Sequence, residues 1–143
     1  MKILANDGIS DSGVEELRKS GFEVITTNVA QEQLESYINT NNVVGLLVRS
    51  ATTVRKGLID KCPGLKLIGR GGVGMDNIDV DYARSKGLDV INTPAASSHS
   101  VAELVFSHLF SCVRFLHDSN RNMPLEGDSC LLYTSDAADD LLC

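Results

Sequence analysis

The chain has 143 residues, 43% of them hydrophobic and 22% charged, the balance of one globular domain with a single core and not of a fibrous or disordered protein. Thirteen basic against 19 acidic residues leave a net charge of −6, which argues against a nucleic-acid partner, since such proteins carry a basic footprint. No apolar run is long enough to span a bilayer and no signal-peptide pattern opens the chain. The four cysteines (Cys62, Cys112, Cys130, Cys143) show neither metal spacing nor a disulfide framework, so the expected setting is a reducing cytoplasm without a membrane partner.

Short β-like runs alternate with helical segments. Lys2–Asn6 is the first predicted strand; Ser10 or Asp11 caps a helix running to Lys19, with Gly21 at its end. Phe22–Thr26 is a second strand and Gln31–Asn39 a second helix. Val43–Val48 (VVGLLV) is a third strand, apolar on both faces as a central parallel strand should be. A short helix at Lys56–Lys61 precedes the turn Pro63-Gly64, then come a strand at Leu65–Gly69, a helix at Val80–Lys86 stopped by Gly87, and a strand at Asp89–Asn92. Strands separated by helices predict an α/β fold, a parallel five-stranded sheet with helices on both faces, and we expect the flavodoxin-like order 2-1-3-4-5 over the Rossmann order.

Beyond Pro94, Ser100-Val101-Ala102-Glu103 has the form of a capping box that would open one long helix to about Arg121. Val101, Leu104, Val105, Phe106, Leu109, Phe110, Val113 and Leu116 cover most of its girth, which predicts burial on several sides against another domain or subunit. The last stretch, Cys130–Cys143 (CLLYTSDAADDLLC), continues no periodicity and resembles an in-frame translation of a transposon-end adapter from sequencing libraries. We expect it to be an artefact and leave it out of fold reasoning. The expected organisation is a substrate-binding domain over 1–97, an interdomain or dimer helix and the start of a linker over 98–129, and the artefact over 130–143. Cys62 and Cys112 then read as small apolar fillers.

The chemistry gathers at the predicted strand ends: Asn6-Asp7-Gly8, Arg49–Thr52, Arg70–Gly74 and Asn92-Thr93-Pro94. Four glycines within six positions bring backbone N–H groups close to a ligand, and Arg49 and Arg70 beside them suit a phosphate or carboxylate. Gly69, Gly71 and Gly74 also satisfy G-x-G-x-x-G, the dinucleotide fingerprint. That match is a decoy. Gly69 falls at a strand end, Met75–Asp79 intervenes before helical periodicity begins, and the next strand ends in Asn92-Thr93 where the ribose-binding acid belongs. His99, His108 and His117 recur at a spacing that does not gather them for a metal, so no metal site is expected. Asp76 and Asp79 could pass for paired catalytic acids, but Asp79 or Asn77 is better read as the cap of the next helix and Asp76 as a brace for the glycine loop.

Over residues 1–129 these motifs resemble the D-isomer-specific 2-hydroxyacid dehydrogenases. The resemblance is carried by Val48–Thr52, by Gly69–Asp79, and by Asn92-Thr93-Pro94 followed by Ser100–Glu103. V-R-S-A-T together with G-R-x-G points to the branch that oxidises phosphoglycerate, the entry step of serine synthesis. The resemblance implies a two-domain NAD enzyme and a small phosphorylated hydroxyacid substrate facing Arg49 and Arg70. The carboxylate would meet the loop of Gly72, Val73 and Gly74, with Ser50 and Ser97 as further substrate contacts and Val73 also bordering the nicotinamide. Ser97-Ser98 stands where the family commonly has an Asn-Thr pair, and a serine has the shorter reach. The family's dinucleotide fingerprint and its catalytic Arg, Glu and His have no counterpart here. The chain therefore reads as an inactive fragment with no catalytic residues, whose long helix would cross into a missing nucleotide-binding domain and support a homo-oligomer. The alternatives are a dehydrogenase of another D-2-hydroxyacid and a non-enzymatic flavodoxin-like module of ligand-binding or receiver-like type. A receiver needs acidic residues at its first and third strand ends, and here the third ends in Arg49.

Overall fold

A computed structural model describes residues 1–122, so the expected tail at 130–143 and the linker ahead of it lie outside the described residues. The chain divides into two units, 1–96 and from Ser97 onward.

The first unit alternates β1 (Lys2–Ala5), α1 (Asp11–Lys19), β2 (Glu23–Ile25), α2 (Gln31–Asn41), β3 (Val43–Val48), α3 (Lys56–Lys61), β4 (Leu67–Arg70), α4 (Val80–Ser85) and β5 (Asp89–Asn92). The five strands form one parallel sheet of order β2-β1-β3-β4-β5, as the sequence predicts. Right-handed crossovers place α1 on the face opposite α2, α3 and α4, because only the step from β1 to β2 runs toward the other edge. Helix α1 starts where Ser10 Oγ accepts the Gly13 N–H (3.3 Å) and has Asp11 in its first turn and Arg18 and Lys19 in its last. Strand β4 begins at Leu67, later than the apolar run suggests, because the Leu65 N–H is still bonded back to the Cys62 carbonyl (3.1 Å) in the turn after α3.

Strand register builds the core. Ile25, Leu4, Leu46, Ile68 and Val90 are successive partners across the sheet. The last four of them are buried with Leu34 and Ile38 of α2, Ile59 of α3 and Ala83 of α4. Each fully buried aliphatic of this size contributes about 1.5–3 kcal/mol. Tyr82 ties α4 to α3 by donating its hydroxyl to Asp60 (2.7 Å), which Lys86 also pairs (3.0 Å). On the opposite face, the row Ala5, Leu47, Gly69, Ile91 is tight at its third place: a Cβ on Gly69 would stand 2.6 Å from Leu47 Cδ2, which would have to shift, and 3.6 Å from Ile91 Cγ1.

The second unit corrects three expectations. Its helix begins at Ser98 with Ser97 in the N-cap position, so Ser100 lies inside the first turn and the Ser100–Glu103 pair is not a capping box. The helix is also not continuous to Arg121. Helix α5 (Ser98–Val113) ends at Arg114, Phe115 adopts a left-handed conformation (φ +50°) that breaks the hydrogen-bond ladder, and α6 (Leu116–Asn122) follows. The third correction concerns Cys112, which is exposed and fills no core, whereas Cys62 is buried. The apolar side chains of α5 are exposed, from 50% at Leu109 to 62% at Val113.

Candidate functional site at the carboxyl ends of the strands

In this strand order the chain reverses direction between β1 and β3, and an open parallel sheet takes ligands at such a switch point, beyond the carboxyl ends. The loops after β1, β3, β4 and β5 share that edge. Ala5 is paired with Leu47, and Val48, Arg70 and Asn92 are neighbours in register. Two cavities bordered by Gly87, Leu88 and Asp89 lie at the opposite, amino ends of β4 and β5.

The loop Arg49–Thr52 is held by side chains from two other loops. Asp7, just past β1, accepts the Arg49 N–H (2.6 Å) and the Thr52 N–H (3.1 Å) on Oδ2 and the Thr52 hydroxyl (2.5 Å) on Oδ1. Burial acts to raise the Asp7 carboxyl, but the Thr52 hydroxyl and the amides of Arg49, Thr52 and Ala51 outweigh it and hold the group below the ordinary carboxylate value. Asn77 donates its amide to the carbonyls of Arg49 (2.8 Å) and Thr52 (2.6 Å). Behind them the buried Asn6 donates to Thr52 Oγ1 (2.8 Å) and the Val29 carbonyl, and accepts the Val29 N–H.

The glycine loop after β4 is equally fixed. Gly71 N–H bonds the Val48 carbonyl (2.9 Å), Gly72 exchanges bonds with Thr93, and Asn92 donates to the Val73 carbonyl (2.7 Å). Gly72 has φ +151°, and a Cβ there would overlap the Arg70 guanidinium, which folds back across it. A Cβ on Gly71 would touch Arg49 Cγ at 3.5 Å. The two arginines predicted from sequence thus flank one glycine pair. Arg70 Nε is buried with no partner among the described residues, an unusual state for a guanidinium donor.

Ser50, Val73 and Gly74 are exposed on these loops, Val73 at 53%. Ser97 belongs to the second unit, where it occupies the N-cap position of α5 without a side-chain capping bond. Asp79 stands in the N-cap position of α4, yet its carboxylate serves α3 instead: it accepts the Lys56 N–H (2.9 Å) and pairs with Arg55 (3.0 Å). Those two partners hold its carboxyl below the ordinary value, the Lys56 amide most strongly. Asp76 Oδ2 lies 3.2 Å from where a Gly74 Cβ would be, beside the glycine loop. His99 and His108 lie on α5 and His117 on α6, and no group of three or more potential metal ligands occurs among the described residues. The roles of Asp7, Thr52 and Asn77 are not visible in the sequence. Their only signal is position, each lying within a loop at a strand's carboxyl end.

The dinucleotide fingerprint does not form. Gly69 is a packed residue inside β4, and no helix starts after Gly74 until Val80. The sequence profile of the D-isomer specific 2-hydroxyacid dehydrogenase catalytic domain matches residues 3–141. The chain belongs to this family. Among relatives of these dehydrogenases, D-3-phosphoglycerate dehydrogenase of Methanocaldococcus jannaschii is 41% identical over 114 residues, 80% of this chain and 21% of that protein. Hydroxypyruvate reductase of Thermotoga maritima is 38% identical over 116 residues, covering 80% of this chain and 37% of its own. The crystal structure of NAD+-bound 3-phosphoglycerate dehydrogenase from Entamoeba histolytica superposes with a TM-score of 0.61 at 28% identity, over 78% of this chain and 38% of that one. The chain thus spans about a fifth to two fifths of the dehydrogenases it matches. Membership in a dehydrogenase family sets the receiver-like alternative aside. Among the described residues no helix is long and apolar enough to cross a membrane.

Proposed function

We propose that this chain supplies the substrate-binding part of an NAD-dependent D-2-hydroxyacid dehydrogenase that oxidises 3-phosphoglycerate to 3-phosphohydroxypyruvate, in the cytoplasm. The observation that carries the reading is the pair Arg49 and Arg70 flanking Gly71-Gly72 at the sheet's switch point, with the buried Arg70 Nε lacking a partner among the described residues. Two guanidinium groups at neighbouring strand ends suit a dianionic phosphate better than a single carboxylate. The N–H groups of the Gly72–Gly74 loop and the Ser50 hydroxyl are assigned to the remaining substrate oxygens. The described residues offer no pyrophosphate cradle at a helix N-terminus, so NAD is assigned mainly to residues beyond 1–122, with the exposed Val73 bordering the nicotinamide. When bound, NAD supplies the hydride acceptor. The loops described here orient the hydroxyacid and balance its charge. The exposed apolar side chains of α5 are assigned to an interface within a homo-oligomer or with a neighbouring domain.

A second reading, a dehydrogenase of an unphosphorylated hydroxyacid, draws on the 38% identity to a hydroxypyruvate reductase. Steady-state kinetics of the full-length enzyme with Arg49→Ala and Arg70→Ala separate the two. Each loses a charge-assisted contact worth roughly 1.5–3 kcal/mol, hence about ten- to a hundredfold in kcat/KM for 3-phosphoglycerate, while an unphosphorylated hydroxyacid loses far less. Lysine at position 49 restores only part, lacking the planar fork of donors. Equal losses for both substrates would refute the phosphate assignment.

A further inference from the structure

One loop has both its ends gripped from two sides. The N–H groups of Arg49 and Thr52 go to Asp7, and the carbonyls of the same two residues go to Asn77. Asp7 follows β1 and Asn77 belongs to the loop after β4, so the grip bridges the two strands that flank β3. The Thr52 hydroxyl, donating to Asp7 and accepting from the buried Asn6, closes the arrangement. A four-residue loop bound at both ends through donors and acceptors alike has little backbone freedom left, and the residues between its fixed ends, Ser50 and Ala51, are exposed. The direction in which the Arg49 side chain leaves the backbone is set by this clamp.

We infer that Asp7 and Asn77 are positioning residues for anion binding, fixing the Arg49–Thr52 loop so that the arginine meets the ligand without an ordering cost. The inference rests on the proposed role of Arg49, and neither residue touches the ligand. A loop ordered in advance binds more tightly than one ordered by its ligand, since the entropy loss is taken in folding. Asp7→Asn replaces one acceptor oxygen with a donor, and Asn77→Asp removes the amide that donates to the two carbonyls. Both are near-isosteric.

The test uses the whole 143-residue chain and nitrogen–proton correlation spectra, titrated with 3-phosphoglycerate. Wild type should show saturable shifts at Arg49–Thr52 and at Gly71–Gly74. Asp7→Asn and Asn77→Asp should each weaken the dissociation constant by about tenfold, the size of one charge-assisted or bidentate contact. Hydrogen exchange supplies the readout that a merely stabilising role would not move: in both variants the amides of Arg49 and Thr52 should speed up relative to those of Leu46 and Ile68 in the core. Should Asp7→Asn fail to fold, Asn77→Asp and Thr52→Val probe the same clamp from its other members. Unchanged affinity in the clamp variants, alongside lost binding in Arg49→Ala, would overturn the positioning role and leave the anion site standing. Uniform acceleration of all amides would also overturn it. Full binding by Arg49→Ala, or no saturable shift in wild type, would overturn the anion site itself.

Discussion

Replacing Gly69 with alanine tests directly whether this residue is a packing glycine or part of a phosphate-binding turn. The new Cβ would lie 2.6 Å from Leu47 Cδ2, whereas carbon atoms in contact rest about 3.5–4 Å apart, so Leu47 or the strand must give by about 1 Å. Overpacking of this kind costs about 1–3 kcal/mol. Alanine also restricts the unfolded chain, which offsets about 0.4–1 kcal/mol, leaving a net loss of roughly 0–2.5 kcal/mol. The clash has one principal partner, so a double-mutant cycle isolates it. In a Leu47→Ala background the space is open, and Gly69→Ala should become neutral or mildly stabilising, a coupling of about 1–3 kcal/mol. Urea unfolding followed by circular dichroism on the four chains reads these differences as shifts in midpoint. An equal loss in both backgrounds would refute the packing argument.

Three further outcomes follow from the same geometry. Asp7 and Asp79 have carboxyl groups held below the ordinary value of 3.8 in the folded chain, so their stabilisation is complete above that pH and is lost as pH falls through the lower folded values. Asp79→Asn should therefore flatten the acid limb of the stability–pH profile in acid titrations at fixed urea, and an unchanged limb would contradict its role as cap of α3. With Cys130 and Cys143 replaced by serine, Cys112 should react with a chromogenic disulfide reagent in the native chain, while the buried Cys62, its thiol pushed up by burial, should react only on unfolding. Isothermal calorimetry of the 143-residue chain should show no saturable NAD binding, and a saturable isotherm would restore the Gly69–Gly74 loop as a dinucleotide site.

Much of the first unit is legible locally because its signals are local. The apolar run of β3, the segment of α3 between Arg55 and the Pro63-Gly64 turn, and the short β5 after Gly87 all lie where composition and turn residues place them. Alternation and crossover handedness give the parallel, doubly wound class, but they admit the Rossmann order as well as the observed β2-β1-β3-β4-β5. What escapes is set by long-range bonding or by a single backbone angle. Nothing near Asp79 in sequence says that its carboxylate will cap α3, whose first residue Lys56 is 23 positions away. The Asp7 and Asn77 bonds to the Arg49–Thr52 loop span 42 to 45 and 25 to 28 positions, invisible to any periodicity. Phe115 shows the opposite limit: an ordinary helix-compatible residue takes a left-handed angle, and no propensity announces it. At the site, the arginines and glycines stand out by type, whereas the side chains that orient them do not.

The strand order also bears on how the sheet can be laid down as the chain is made. After β1 and β2 pair, every later strand docks on the same advancing edge: β3 on β1, β4 on β3, β5 on β4. From β3 onward each strand finds its template already in place, and the edge it docks on is covered as it pairs. None of the five described strands has to wait for a distant segment or be inserted between two formed neighbours. Growth by addition keeps unpaired edges brief in a fold class whose parallel pairings are otherwise slow and prone to aggregation. The last edge, β5, begins with Asp89 and ends with Asn92, polar residues that discourage a further strand from joining.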